Sequence, residues 1–344
     1  MENRVNIKNS LQKLDGPRLL RLSIIIALCF CFGCSKKPKG PLAFVSNEKD
    51  GTVTVIDTAT DTPVFSIQVG ARPRGIRISP DGKLLYVALS YPSNKREGED
   101  KIAAIDIESY KVVAKYDAGT DPEQFALSPD GTRCYIANED AGTASVTDLK
   151  KNQVIATDVV GLEPEGIAVS PDGRWAYVTS ESSSNVSVID TRTNQVVKTF
   201  IVDARPREAI FSPDGAQAFV TAENGGTVSV IETQNHTVVD TIKFPRTEPQ
   251  VKPKGAVLTS DGLRLYVATG RGNSVVVIDT KTHQILTMIP VGQRPWGIAI
   301  TPDNRKVYTA NGLSNDVSVI DAASNKVVRT IKAGDGPWGV VIKP

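Results

Sequence analysis

Seven times along this chain a proline is flanked by side chains able to bind or react. They are Arg72 and Arg74 around Pro73, Asp121 and Glu123 around Pro122, Glu163 and Glu165 around Pro164, and Arg205 and Arg207 around Pro206. Lys252 and Lys254 follow around Pro253, Arg294 and Trp296 around Pro295, and Gly336 and Trp338 around Pro337. Two neighbouring repeats are thus acidic, and the others are basic or carry tryptophan. Converging carboxylates could do acid–base work, and Glu48, Glu139, Glu181 and Glu223 supply four more at another shared repeat position. Tryptophan and arginine are the side chains that most often anchor an interface, each joining a large contact area to a polar handle. Arg72, Arg74, Asp121, Glu123, Glu163, Glu165, Arg207, Lys254, Arg294, Trp296 and Trp338 therefore form the candidate ligand- or partner-binding set. The alternative for the same residues is a solvated rim whose tryptophans plug a channel.

Little else in the sequence is equipped for chemistry. The two histidines, His236 and His283, fall at a position that elsewhere reads Asp61, Tyr110, Asn152, Asn194 and Asn325, which marks a turn. Asp57, Asp106, Asp148, Asp190, Asp279 and Asp321, with Glu232, are one turn residue repeated, expected to accept hydrogen bonds from the turn backbone. There is no haem-attachment C-x-x-C-H, no H-E-x-x-H, no phosphate-cradling glycine loop and no G-x-S-x-G. On this reading no catalytic residue and no metal site is assigned, and the chain is expected not to be an enzyme. Cys134, alone within an apolar run, reads as a buried hydrophobe.

The elements that must position the flanking residues follow from the spacing. The seven prolines are separated by 49, 42, 42, 47, 42 and 42 residues, and a period near forty signals stacked supersecondary units. Each period spells four short runs rich in β-branched and aromatic residues, such as GIAVSPDG, WAYVTSES, NVSVIDTRTN and QVVKTFIVD from residue 166 onward. The S-P-D-G tetrapeptide is a tight turn, with proline presetting φ and glycine taking the left-handed position. Four antiparallel strands repeated seven times predict an all-β, seven-bladed propeller over residues 42–344. The chain ends after a single run, GVVIKP, and the domain begins with three runs that lack a first one. Pairing strand 339–343 with the N-terminal strands of 43–69 would complete the seventh blade and remove both free edges. The two departures from period, Ser90–Asp100 and Lys243–Gln250, both lie on the face that carries the flanking residues, a placement that often marks the binding side of a repeat fold.

Ahead of the repeats, Arg18 and Arg21 precede the apolar run Leu22–Gly33, which is short for a membrane span and suits a signal-peptide core. Gly33-Cys34 directly after it resembles a bacterial lipobox, which implies a signal peptide over 1–33, lipidation at Cys34 and a tether over 34–41. Ser35 favours the outer over the inner membrane, so the expectation is a membrane-anchored periplasmic lipoprotein. The whole chain carries 40 basic and 38 acidic residues. Removing 1–33 takes five of the basic and two of the acidic ones, so the remainder has no basic excess to attract nucleic acid.

The strings AFVSNE, YIANE, YVTSE, FVTAE, YVATG and YTANG resemble the signature of YVTN-type β-propeller repeat proteins across residues 42–344. Within them TAENGGTVSVIETQNHTVVDTIKF and the C-terminal stretch from VGQRPWGIAITPDN to GVVIKP are similar to propellers associated with PQQ-dependent alcohol catabolism. That resemblance implies a non-enzymatic periplasmic binding or scaffold protein. Its partner would be a quinoprotein dehydrogenase, a cytochrome or a transporter component, with PQQ held by the partner. Two other classes stay open: a propeller enzyme, either a lactonase-like hydrolase or a dehydrogenase subunit, and an envelope structural or adhesion protein.

Overall fold

The computed structural model describes residues 40–91 and 100–343. Cys34, the signal segment, most of the tether and the centre of the Ser90–Asp100 insertion lie outside the described residues. The described chain forms 28 strands in seven antiparallel sheets of four, so the seven-bladed propeller expected from the period is what forms.

One innermost strand per blade lines the axis: β4 (Pro73–Ile78), β8 (Pro122–Leu127), β12 (Pro164–Val169), β16 (Pro206–Phe211), β20 (Ala256–Leu258), β24 (Pro295–Ile300) and β28 (Pro337–Ile342). Each packs beside the next, and β28 packs beside β4, which closes the circle. The closing blade has the order β28, β1 (Leu42–Asn47), β2 (Thr52–Asp57), β3 (Thr62–Gln68). Val45 faces Val340 and Ala43 faces Ile342 across the seam. The first and last strands of the propeller thus complete one sheet, as the missing runs at the two ends imply.

The burial pattern explains why these runs become these strands. The middle strands of a blade are apolar on both faces because a sheet packs on each side. In β13 (Trp175–Ser180) and β14 (Asn185–Asp190) all residues but the first are buried. The outermost strand faces solvent on one side, and β15 (Gln195–Ile201) alternates accordingly. Tyr135, Tyr177, Tyr266 and Tyr308 stand at one repeat position and are fully buried between blades. Cys134 is likewise fully buried, and burial pushes its thiol pKa up.

The turns behave as their sequences require. In Ser170–Gly173 the Gly173 N–H donates to the Ser170 carbonyl at 2.8 Å, and Gly173 sits at φ 75°. Asp190 accepts from the Arg192 N–H at 2.9 Å, and Asp279 accepts from those of Lys281 and Thr282 at 3.0 and 2.8 Å. His236 and His283 occupy left-handed turn positions at φ 51° and 59°, in register with Asn194 and Asn325, both at 54°.

Candidate functional site

Because each inner strand starts at its proline on the upper face, residues at equal distance past the proline form rings around the channel. The first ring is Arg74, Glu123, Glu165, Arg207, Lys254, Trp296 and Trp338. All are buried except the half-buried Trp296. Arg74 reaches Glu123, Glu165 reaches Arg207, Lys254 reaches Trp296 and Trp296 reaches Trp338 in the neighbouring blade, so acidic and basic side chains pair across blades rather than forming separate solvent-facing patches. Arg207 contacts Glu165 at 2.5 Å and Glu223 at 2.7 Å, and it also meets Glu181. Arg74 contacts Glu123 directly, lies 3.0 Å from Glu48, and has Asp121 and Glu139 at 3.4 and 3.7 Å. The Lys254 ammonium sits 3.4 Å from the centre of the Trp296 ring, with Glu223 at 3.6 Å. Trp296 and Trp338 are tilted against one another at 5.7 Å. Of the remaining predicted residues, Arg72 joins the Arg74 group through Glu48 and Asp121, and Arg294 lies 5.1 Å over Trp296. Glu163 is exposed and bonds to Ser182, so the fold does not bring it into the ring.

Burial of these charges bends their titration. Burial alone would raise the Glu165 carboxyl, but Arg207, Lys254 and Arg74 overcome it and hold it low. Glu139 is pushed up to about 7 by burial and by the nearby carboxylates Glu165, Asp121 and Glu163, against the opposing pull of Arg74. Lys254 is pushed down to about 7, by burial first and by Arg207 second, against the opposing pull of Glu165 and Glu223. Asp121, Glu123 and Glu139 stand close enough to share a cation, but the Arg74 guanidinium already lies among them.

The next ring holds the residues that the sequence reading missed. It is Gly75, Gln124, Gly166, Glu208, Gly255, Gly297 and Gly339. Glycine is needed there because the strands crowd at the axis. A Cβ at Gly166 would stand 2.1 Å from the Arg207 carbonyl oxygen, and one at Gly255 would stand 2.3 Å from that of Trp296. Gln124 and Glu208 are the two exceptions. Two positions further on, the ring is alanine, isoleucine or valine in six blades and Arg77 in the seventh. These three exceptions meet inside the channel: Arg77 Nη2 lies 3.5 Å from Glu208 Oε1, and Gln124 Nε2 lies 3.4 Å from Glu208 Oε2. A departure from the repeat code at three positions was the signal available in the sequence.

Together with Glu165, Arg207, Lys254 and the two tryptophans, they line a small chamber of about 50 Å³. Burial pushes the Glu208 carboxyl up to about 7, with Arg77 offsetting part of the rise and Glu165 adding to it. Two buried polar atoms on the chamber wall, Gln124 Oε1 and Lys254 Nζ, have no hydrogen-bond partner among the described residues. An acceptor and a donor left open in one polar chamber are groups that a water or a ligand would satisfy.

Comparisons with known proteins add to this geometry. Residues 41–203 match the family model for a "Choice-of-anchor I domain", and residues 200–344 match that for "Lactonase, 7-bladed beta-propeller". No curated protein matches the chain. Among solved structures, the Kuenenia stuttgartiensis hydrazine synthase superposes with a TM-score of 0.74 at 23% identity, covering 83% of this chain and 94% of its own. A candidate 6-phosphogluconolactonase from Bacteroides fragilis gives 0.74 at 18% identity, covering 89% of this chain and 99% of its own. A similar candidate from Bacteroides uniformis gives 0.74 at 19%, covering 88% and 100%. At these identities the solved structures show the fold alone. The expectation that the chain is not an enzyme is corrected by the lactonase match, which points to a hydrolase-type family. It failed because a search for contiguous motifs cannot register acid–base groups contributed singly by separate blades. The matches support a lactonase-like seven-bladed propeller and lend nothing to the PQQ-linked subfamily.

Proposed function

We propose that the protein is a hydrolase that opens lactones in its central channel, with Glu208 as general base. The observation that carries this is the meeting on one polar chamber of Arg77, Gln124 and Glu208, the three residues that break the pattern of their rings. The lactonase match over 200–344, which contains Glu208 and Lys254, agrees with it.

A space of about 50 Å³ holds a few waters. In this reading Lys254 Nζ donates to one water and Gln124 Oε1 accepts from it, which satisfies the two open atoms and fixes the water's orientation. Glu208 takes the water's proton as its oxygen bonds to the lactone carbonyl carbon. The Arg77 guanidinium, already beside Glu208, stabilises the oxyanion that develops. The ring C–O bond then breaks, and the proton held by Glu208 passes to the departing alkoxide, giving the hydroxy acid. A carboxyl whose pKa lies near 7 suits both halves of that exchange.

The test is hydrolysis of simple γ- and δ-lactones by the purified protein, followed as acid release above the uncatalysed rate. Activity is expected, with kcat/KM rising through about pH 7 as Glu208 becomes the carboxylate. A folded protein that opens none of these lactones between pH 5 and 9 overturns the reading.

A further inference from the structure

The channel has two unlike halves that meet at the same pair of residues. Above Arg77 and Glu208 lies the polar chamber. Below them the channel widens into a cavity of about 570 Å³ that opens on the turn face beside Pro80, Pro129 and Pro171. Most of the side chains that line it are apolar, with Ile78, Leu127, Val169, Ile210, Val257 and Ile300 half-buried around it, and Arg77, Ser128 and Glu208 are the polar ones. Arg77, Glu208, Ile298 and Val340 line both spaces, so the reactive carboxyl forms the floor of one and the ceiling of the other.

From this continuity we infer that the substrate is a lactone bearing an alkyl tail, which enters from the turn face with its tail along the apolar wall and its carbonyl against Arg77. The inference rests on the proposed lactone hydrolysis and adds the identity of the group that fills the lower cavity. Size excludes the upper chamber for the body of a substrate, since it admits only waters. Polarity orients the ligand: the polar pair Arg77 and Glu208 stands at the closed end, where the guanidinium can donate to an oxygen-bearing head, and the side chains further out are mostly apolar. Depth allows a short tail, because Glu208 to Phe211, both lining the cavity, is three residues, roughly 10 Å of strand at about 3.3 Å each. The hydrolytic water and the substrate therefore reach Glu208 from opposite sides, and neither displaces the other.

The experiment is a homologous series from γ-butyrolactone to γ-decalactone. KM is expected to fall about fourfold for each added methylene until the cavity is filled. Binding is read separately by calorimetry on Glu208→Gln, where γ-decalactone should bind with a negative heat-capacity change. Val257→Arg and Val341→Asn, on different blades, should each weaken that binding at least tenfold. Turnover that depends on Glu208 but is flat across the series overturns the tail assignment and leaves hydrolysis standing. Binding that lengthens with the tail and is lost in the wall variants, without turnover of any lactone, supports the funnel and overturns hydrolysis. Absence of both overturns both.

Discussion

Replacing Glu208 by glutamine is expected to stop lactone hydrolysis and to make the protein more stable. The side chain keeps its size and its contact with Gln124, but it can no longer take a proton, so kcat should fall roughly 10²- to 10⁴-fold. The stability gain follows from the raised pKa. In the unfolded chain Glu208 would titrate near 4.5, whereas in the folded protein it does so near 7. Below about pH 4.5 the carboxyl is protonated in both states and folding is indifferent to it. Between 4.5 and 7 the unfolded chain releases the proton and the folded one retains it, so stability drops as pH rises. Above 7 the loss is complete and constant, on the order of 3 kcal/mol for a shift of this size. Glutamine removes this cost, so the variant's melting temperature should exceed that of the wild type at pH 8 and match it near pH 4. Lower stability of the variant at pH 8, or equal turnover, contradicts the role given to Glu208.

The second large effect is on the fold itself. Deleting residues 337–344 should leave a chain with no cooperative thermal transition. Trp338, Val340 and Ile342 are each at least nine-tenths buried, and burying such side chains contributes about 1.5–3 kcal/mol apiece. Their summed loss is comparable to the whole stability of an ordinary domain. The deletion also exposes β1, whose six residues are all buried, and leaves Ser46 Oγ without the Gly339 N–H that donates to it at 2.9 Å. A synthetic peptide spanning 337–343, added in excess, should restore the melting transition. Unchanged cooperative melting without the strand would show that the ring does not depend on this closure.

Periodicity made the architecture legible. The proline spacing, the four runs per period and the unmatched runs at the two ends are local or repeated features, and they led to seven blades, the closing strand and the turn role of His236 and His283. The first ring around the channel was legible as residues but not as an arrangement. Sequence placed Arg207 and Glu165 in different sectors 42 positions apart, whereas at the axis one period is a single step to the neighbouring blade and they touch. The chamber was not read at all, although its evidence is compositional. Gln124 and Glu208 stand where crowding demands glycine in the other five blades, and Arg77 stands where six blades carry alanine, isoleucine or valine. In a repeat protein the common pattern encodes the scaffold, and the site is written in departures from it.

The seam between β1 and β28 also has a cost in time. Leu42 begins the first strand and Ile342 ends the last, so about 300 residues must be made between them. At roughly 5–20 residues per second, synthesis keeps β1 waiting on the order of 15–60 s for its partner. Through that interval an apolar strand has one hydrogen-bonding edge unfilled, the condition in which nascent chains pair with one another. The first blade to be made is therefore the last to be finished.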